Sequence, residues 1–348
     1  MADKSPFSIE SQEARIRLTT SCRDADGLPR VDDAGSLKTV SGQLVQTMHN
    51  GVLVVANGYE GEYMTEIIRQ LRGVHEPQEE LVFHLIVERL KQDTDAPVMI
   101  ELGAFWSYYS LWFSQSIPSA QLVCVEPDPN NLAIGERNMK LNDKTAIFIS
   151  TATSDSSRPP APFSCESDGQ DRLIPTENLE SIMANSGVKR VDLLLLDIQG
   201  AELSTLEGAQ SAISRGDVRF VVVSTHHQII SGDPLTHQKC LEFFYNNDAH
   251  IIAEHTVSES FSGDGLIAVS FDERDSDLIA DISYCRAKDS LFGDPQYEIV
   301  AQSKIIGEQQ EVIKNRKLEI ESIYRSRSWK ISRKLSRLAY RVIKRDNK

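Results

Sequence analysis

Short apolar blocks, separated by polar stretches of helical period, set the plan of the chain. Core strands are predicted at 97–102, 121–126, 192–198, 219–225 and 265–271, with 250–257 as a sixth and 146–150 as a weaker seventh. Helical patterns separate the earlier strands, which implies βαβ units and a parallel sheet. Only "SESFSGD" separates the last two, so an antiparallel hairpin is expected to close the sheet edge.

Outside these blocks the pattern changes. Residues 1–43 are polar and aperiodic and read as a loose leader. Over 44–96, Asn50-Gly51 before a β-branched run predicts a hairpin, and "EYMTEIIRQLRG" predicts a helix. A second helix, "HEPQEELVFHLIVERLKQ", has Pro77 near its start, acids in its first turn, and Leu81, Phe83, Leu85, Ile86 and Leu90 as one apolar face. The stretch "TSDSSRPPAPFSCESDGQDR" at 153–172 reads as an irregular loop, either covering a site or forming a surface insertion. The expected organisation is therefore a leader (1–43), a hairpin with covering helices (44–96), a core (97–272) and a helical tail (290–348).

Composition narrows the class. Charged residues make up 25% and apolar ones 40% of 348 residues, as in globular proteins. No apolar run approaches the ~18 residues of a membrane span, and the N-terminus has no apolar signal segment. The five cysteines show no metal-ligand spacing, which favours reduced thiols and a cytoplasmic setting. The net charge is −14, but from Arg325 onward ten Lys or Arg face one acid, leaving −23 for the rest. An acidic body argues against nucleic acid as partner of the main domain.

The candidate chemistry lies at strand ends. Gly103 directly follows the first core strand, yet Ala104, Phe105, Trp106, Ser107, Tyr108 and Tyr109 come next instead of the glycines of a pyrophosphate-binding turn. A cofactor without phosphates, such as S-adenosylmethionine, needs less backbone clearance. Glu126 ends the next strand at the distance where an acid reaches ribose hydroxyls. Pro127 and Asn131 follow it, with Asp128 placed to cap the next helix. "LLLLDIQGAE" puts Asp197 at the ligand-facing sheet edge, where Glu202 reads either as a site residue or as an acid favoured by the helix dipole. "STHHQ" brings His226 and His227 to the same edge, so Asp197 and His226 are the catalytic candidates, either of which suits a general base. A divalent cation between Asp197, His226 and His237 is conceivable, but no ligand spacing is diagnostic and no metal site is predicted.

Together "IELGAFWSYYSLWF", "VEPDPNNLAIGERNMKLN", "VDLLLLDIQGAELSTLEGA" and "GDGLIAVSF" resemble the FkbM family of S-adenosylmethionine-dependent methyltransferases over about residues 59–271. The resemblance implies a Rossmann-like class I methyltransferase sheet, mostly parallel and seven-stranded with an antiparallel edge hairpin. It places the cofactor on Glu101, Gly103, Ala104, Ser107, Glu126, Pro127 and Asn131. The family's D-x-E-G-x-E motif falls on Asp197, Gln199, Gly200 and Glu202. Ser107 stands where the family usually has glycine, and Gln199 where it has an acid. "HEPQEE" and "STHHQIISGDPLTHQKC" are similar to a subgroup of bacterial polysaccharide and glycan genes, adding His75, Glu76, Gln78 and Glu79 as site candidates. The implied activity is O-methylation of a sugar or glycan acceptor. Its rivals are a catalytically inactive scaffold of a glycan-assembly complex and, disfavoured by the missing glycines, a nicotinamide oxidoreductase.

The tail adds two patterns. Ile299, Ile306, Ile313 and Ile320 recur every seventh residue, too sparse for a firm coiled coil. In "YRSRSWKISRKLSRLAYRVIKR", Ile331, Leu335, Leu338 and Val342 form an apolar stripe among basic residues. That composition suits docking through 325–345 on an anionic membrane surface, here the inner face of the cytoplasmic membrane, or on an acidic protein. Homo-oligomerisation stays open.

Overall fold

The computed structural model describes residues 12–285 and 295–335. In chain order its first part contains helix α1 (Gln12–Thr19), strands β1 (Leu37–Val40), β2 (Gln43–Thr47) and β3 (Leu53–Val55), and helices α2 (Glu62–Gln70) and α3 (Pro77–Asp93). Then come β4 (Val98–Leu102), α4 (Tyr108–Ser116), β5 (Gln121–Val125), α5 (Pro129–Leu141) and β6 (Ile147–Ile149). The strands β7 (Ala152–Thr153), β8 (Arg158–Ser164) and β9 (Asp171–Glu177) precede α6 (Leu179–Ser186) and β10 (Val191–Leu196). The remainder is α7 (Glu202–Ser214), β11 (Val218–Thr225), the short α8 (Gln228–Ser231), α9 (Thr236–Asn246), β12 (His250–His255), β13 (Gly265–Ser270) and α10 (Pro295–Arg325).

Seven strands form one sheet in the order β12-β13-β11-β10-β4-β5-β6. All pairings from β11 to β6 are parallel, and β13 runs antiparallel to both β11 and β12. Every residue of β10 and β11 is buried, because helices cover both faces of the sheet. Successive residues alternate sides: Met99, Leu193 and Phe220 pack with α3 and α4, while Ile100, Leu194 and Val221 pack with α6, α7 and α9. Burying each such leucine contributes about 1.5–3 kcal/mol. From β4 the chain winds outward to β5 and β6, and β10 then pairs on the other side of β4. That reversal opens a crevice beyond the carboxyl ends of β4 and β10, where ligands bind in open α/β sheets.

Local chemistry explains several boundaries. The Asp128 carboxylate accepts from Asn130 N at 2.9 Å and Pro129 opens α5, a capped start with a pre-set φ. Asn138 and Asn142 on α5 hydrogen-bond the backbone of Val55 and Leu53, so side chains satisfy the outer edge of β3. The Asn50-Gly51 turn joins β2 to β3 as the sequence predicts.

Three expectations need correction. Residues 12–43 are not a loose leader: Leu18, Cys22, Ala25 and Leu28 are buried, and β1 pairs with β2 across the expected boundary at 43. Distant ties hold this segment, with Thr19 Oγ1 donating to Phe261 O at 2.9 Å and Ser283 N to the Asp24 carboxylate at 2.8 Å. The stretch 153–172 is not an irregular loop either, since β7, β8 and β9 make a small sheet. Pro159 and Pro160 sit where the β8–β9 register shifts, as strand prolines do at exposed edges. Finally, the core runs past 272, with Ala280 N bonded to Ile252 O and Cys285 N to Glu259 O.

Residues 295–348 form a separate unit. In it α10 carries Ile299, Ile306, Ile313 and Ile320 exposed, and helical backbone resumes over 327–335 with Trp329, Ile331 and Leu335 exposed. Leu338 and Val342 lie outside the described residues. Among the described residues no helix is long and apolar enough to cross a membrane.

Far from the crevice, Arg219 on β11 is 2% exposed and donates to both carboxylate oxygens of Asp275, itself fully buried, and to Asp93 at 2.8 Å. Removing one partner of a buried pair strands the other, which costs about 3–5 kcal/mol. Arg219→Met should lose that much in urea unfolding. A loss below about 1 kcal/mol would mean that the network adds little.

Candidate active site

A cavity of about 480 Å³ occupies the crevice, within the usual range of small-molecule sites. Its floor is Glu101, Gly103, Ala104 and Leu195; one wall is Glu126, Pro127, Asp128, Asn131 and Thr151. The opposite side carries Tyr59, Glu60, His75, Glu76, Trp106 and Tyr109. Asp197 to Ala201 close one end, and Phe163, Ser164 and Glu166 from the β8 hairpin reach over the top.

Gly103 adopts φ +79°, and a Cβ there would lie 1.7 Å from the Asp197 carbonyl oxygen. Glycine is therefore demanded by the approach of two strand ends as well as by the turn. Beyond it, Phe105 and Ser107 also have positive φ, so the chain folds back sharply without further glycines. This bend aims Phe105 N at Glu126 Oε2 (3.0 Å), while Asp128 N reaches Glu126 Oε1 (2.8 Å). Each oxygen keeps a free lone pair, so the carboxylate is oriented for two further donors such as a vicinal diol. Glu101, 3% exposed, accepts from Ser110 N at 3.0 Å.

The other end of the cavity is built on a charge chain. Glu202 opens α7 fully buried; its Oε1 takes Gly200 N at 2.9 Å and His226 Nδ1 at 2.6 Å. His226 Nε2 lies 3.2 Å from Asp197 Oδ1 and 3.7 Å from Asp264 Oδ1. Burial opposes a charge on the ring, yet Asp264, Asp197 and Glu202 crowd it and raise its pKa well above the usual histidine value. The Asp197 contact lacks hydrogen-bond geometry, so Nε2 and Oδ1 are both buried without a hydrogen bond.

Of the sequence candidates, the structure brings Glu101, Gly103, Ala104, Glu126, Pro127, Asn131 and Asp197 to one cavity, and His75 and Glu76 with them. Ser107 is not brought there. It is fully buried at the start of α4, and its hydroxyl faces Gly135 without a hydrogen bond. His226 sits behind Asp197, and a ring held as imidazolium has no lone pair to take a proton, which removes it as a base. His227 caps α8 instead. His237 binds Thr225 Oγ1 and Glu254 away from Asp197, so the imagined metal triad does not converge. Among the described residues no cluster of three metal-ligating side chains forms. Gln78 ties Ser283 O and Phe261 N, and Glu79 accepts from Ser224. Tyr59 and Trp106, stacked at 4.5 Å, were missed, as were Thr151, Phe163 and Glu166. Trp106 alone carried a signal, an indole immediately after a cofactor turn.

The lining fits S-adenosylmethionine. Seven carboxylates line the cavity (Glu60, Glu76, Glu101, Glu126, Asp128, Glu166 and Asp197) with no Lys or Arg among them. A sulfonium and an ammonium group are attracted by such walls, and a dinucleotide pyrophosphate is repelled. The sheet, crevice and ribose-type carboxylate define the class: a Rossmann-like methyltransferase. Residues 93–252 match the model of the Methyltransferase FkbM domain. The chain is an S-adenosylmethionine-dependent methyltransferase that is similar to the FkbM domain over this region. It is 24% identical over 176 residues to the 2-O-methyltransferase NoeI of Sinorhizobium fredii (strain NBRC 101917 / NGR234), covering 43% of this chain and 71% of that protein. Among solved structures, the METTL16 MTase domain (crystal form 2) aligns with a TM-score of 0.40 at 11% identity over 77% of this chain and 99% of that one. The precorrin-6y C5,15-methyltransferase of Geobacter metallireducens GS-15 gives 0.34 at 13% over 55% and 87%.

Two predictions follow from the geometry. Burial pushes Glu101 up to about 8 and Glu126 up to about 7. Carboxyls raised in the folded state stabilise it fully below their unfolded value, and that contribution is lost as pH rises through 7–8. A bound cation favours their ionised forms, so S-adenosylmethionine affinity should rise between pH 6 and 9, with proton release on binding. Calorimetry in buffers of different ionisation enthalpy measures both; a pH-independent affinity would contradict this. Ser107→Gly relieves a left-handed φ of 58°, about 1–2 kcal/mol, and deletes an unpaired hydroxyl. Glycine's extra chain entropy takes back about 0.5–1 kcal/mol. The substitution should thus stabilise by about 1 kcal/mol in denaturant unfolding.

Proposed function

We propose that the chain is an O-methyltransferase whose acceptor is a sugar hydroxyl of a glycan or polysaccharide intermediate. Bound S-adenosylmethionine supplies an activated methyl group. Glu126 receives the ribose hydroxyls, with Asn131 and Thr151 beside it, and Glu101 and Gly103 form the floor under the amino-acid portion. Asp197 takes the acceptor proton at Oδ2, the oxygen open to the cavity, because Oδ1 is buried. His226, fixed by Glu202, faces Oδ1 with its N–H and holds the carboxylate in place. The reaction asks little more of the protein than alignment and proton removal.

The observation that carries the reading is this half-exposed carboxylate at the cavity end, opposite the Glu126 wall. The relative NoeI is named as a 2-O-methyltransferase, which supports an oxygen acceptor. Docking of the basic 325–345 segment on the inner membrane face would bring the site to membrane-linked glycans, and the protein would otherwise be cytoplasmic.

Calorimetric titration with S-adenosylmethionine tests the cofactor assignment: micromolar binding that Glu126→Ala weakens is expected. Methyl transfer to a glycan fraction from the source cell should then fall about 10²–10⁴-fold in Asp197→Asn with cofactor binding retained. Absence of cofactor binding would favour the inactive-scaffold alternative.

A further inference from the structure

The mouth of the cavity has a charge pattern that the cofactor alone does not use. Glu60 and Glu166 are exposed at the rim, and Asp197 and Glu76, which also line the cavity, are partly exposed. No Lys or Arg lines the cavity. The cations near it are already committed: the His226 imidazolium to Asp197, Glu202 and Asp264, and His75, raised to about 10 against its burial, to Glu76 and Glu80. S-adenosylmethionine has one net positive charge once its own carboxylate is counted, so even with Glu101 and Glu126 holding protons the rim acids Glu60 and Glu166 keep the space left for the acceptor negative.

That space also contains unpartnered polar atoms. Tyr109 is 5% exposed and lines the cavity, and its hydroxyl is buried without a hydrogen bond. His226 Nε2 and Asp197 Oδ1 are buried against each other at 3.2 Å, which leaves the second Asp197 oxygen as the acceptor turned to the cavity. Donors and acceptors of both kinds thus await hydroxyl groups, while the stacked Tyr59–Trp106 pair offers a flat apolar wall to a pyranose face.

We propose that the cavity selects its acceptor by charge and shape, accepting a neutral or aminated sugar ring and rejecting uronates, sugar phosphates and nucleotide-diphosphate sugars. Methylation therefore follows glycosyl transfer: the sugar reaches this site after the reaction that removes its nucleotide diphosphate, with the methylated ring free of anionic groups. This rests on the sugar O-methyltransferase reading and specifies its acceptor.

Saturation-transfer NMR on the chain loaded with S-adenosylhomocysteine provides the test, using methyl glycosides of glucose, glucosamine and glucuronate and the matching galactose series. The neutral and aminated sugars should receive saturation, with the uronates at least about tenfold weaker, the cost of one like-charge juxtaposition of 1.4 kcal/mol. In Glu60→Lys/Glu166→Lys the discrimination should shrink or invert, with an unchanged cooperative thermal unfolding transition reporting that the variant is folded. Uronates that bind as well as their neutral partners, or an unchanged ratio in the double variant, would overturn charge selection while leaving the methyltransferase reading intact. If no sugar of any charge received saturation, the sugar reading itself would fall and this inference with it.

Discussion

The contact between Gly103 and the backbone of Asp197 is the constraint on which the site depends. Asp197 N bonds to Leu102 O at 2.9 Å, and Gly103 N and Ala104 N both bond to Val125 O at 2.9 Å. Three adjacent strand ends are thereby locked at one level. The absent Cβ of Gly103 lets the Asp197 carbonyl approach, and this single approach sets the spacing between the glycine turn and the Asp197 carboxylate. A pyrophosphate loop spends its glycines on making room for a ligand; here the glycine makes room for another strand. That explains how an aromatic run can follow Gly103 without closing the site. Phe105 and Ser107 carry the bend, and the rings turn into the core and the cavity wall.

Charge is the second organising force. Burial raises the pKa of Glu79, Glu101, Glu126 and Glu166, and Asp197 adds to each rise through space, which links these carboxyls as one set. An uncompensated cluster of this kind costs stability, and buried carboxyls respond by holding protons. Among the described residues the chain offsets the cost with imidazolium groups rather than lysines: His226 between Glu202, Asp197 and Asp264, and His75 between Glu76 and Glu80. Imidazolium is compact and planar and donates from both nitrogens, so it neutralises locally without projecting charge into the cavity. The ligand supplies the remaining positive charge.

The sheet was legible because strands buried on both faces leave unbroken apolar runs, as in "VDLLLLD" and "RFVVVST". Gly103, Glu126 and Asp197 were legible because strand ends define the ligand edge of such a sheet. What escaped notice depends on contacts between distant parts of the chain. Residues 12–43 look loose because Leu18, Cys22, Ala25 and Leu28 are isolated among charges, and the segment is held by packing on α2 and α3 and by ties to Phe261 and Ser283. The β8 hairpin was hidden by its prolines and exposure, which mimic loop composition. The role of Ser107 was misjudged because sequence position does not reveal a side chain's direction at positive φ. His226 was chosen as a base for its ordinary pKa, whereas its three carboxylate neighbours reverse that property.

The extent of the family match separates two functions within one cavity. Glu101, Gly103, Glu126, Asn131 and Asp197 all fall inside 93–252, the part that matches the model of the FkbM domain. Tyr59, Glu60, His75 and Glu76 precede it, and Asp264 follows it. The matched part therefore contains the cofactor floor and the carboxylate proposed here as proton acceptor. The remaining wall comes from the segment around β3, α2 and α3, fastened to the core by Asn138, Asn142 and the Tyr59–Trp106 stack. A wall added from outside the conserved unit can vary without disturbing the cofactor, and in the proposed reading it is this wall that decides which sugar ring enters.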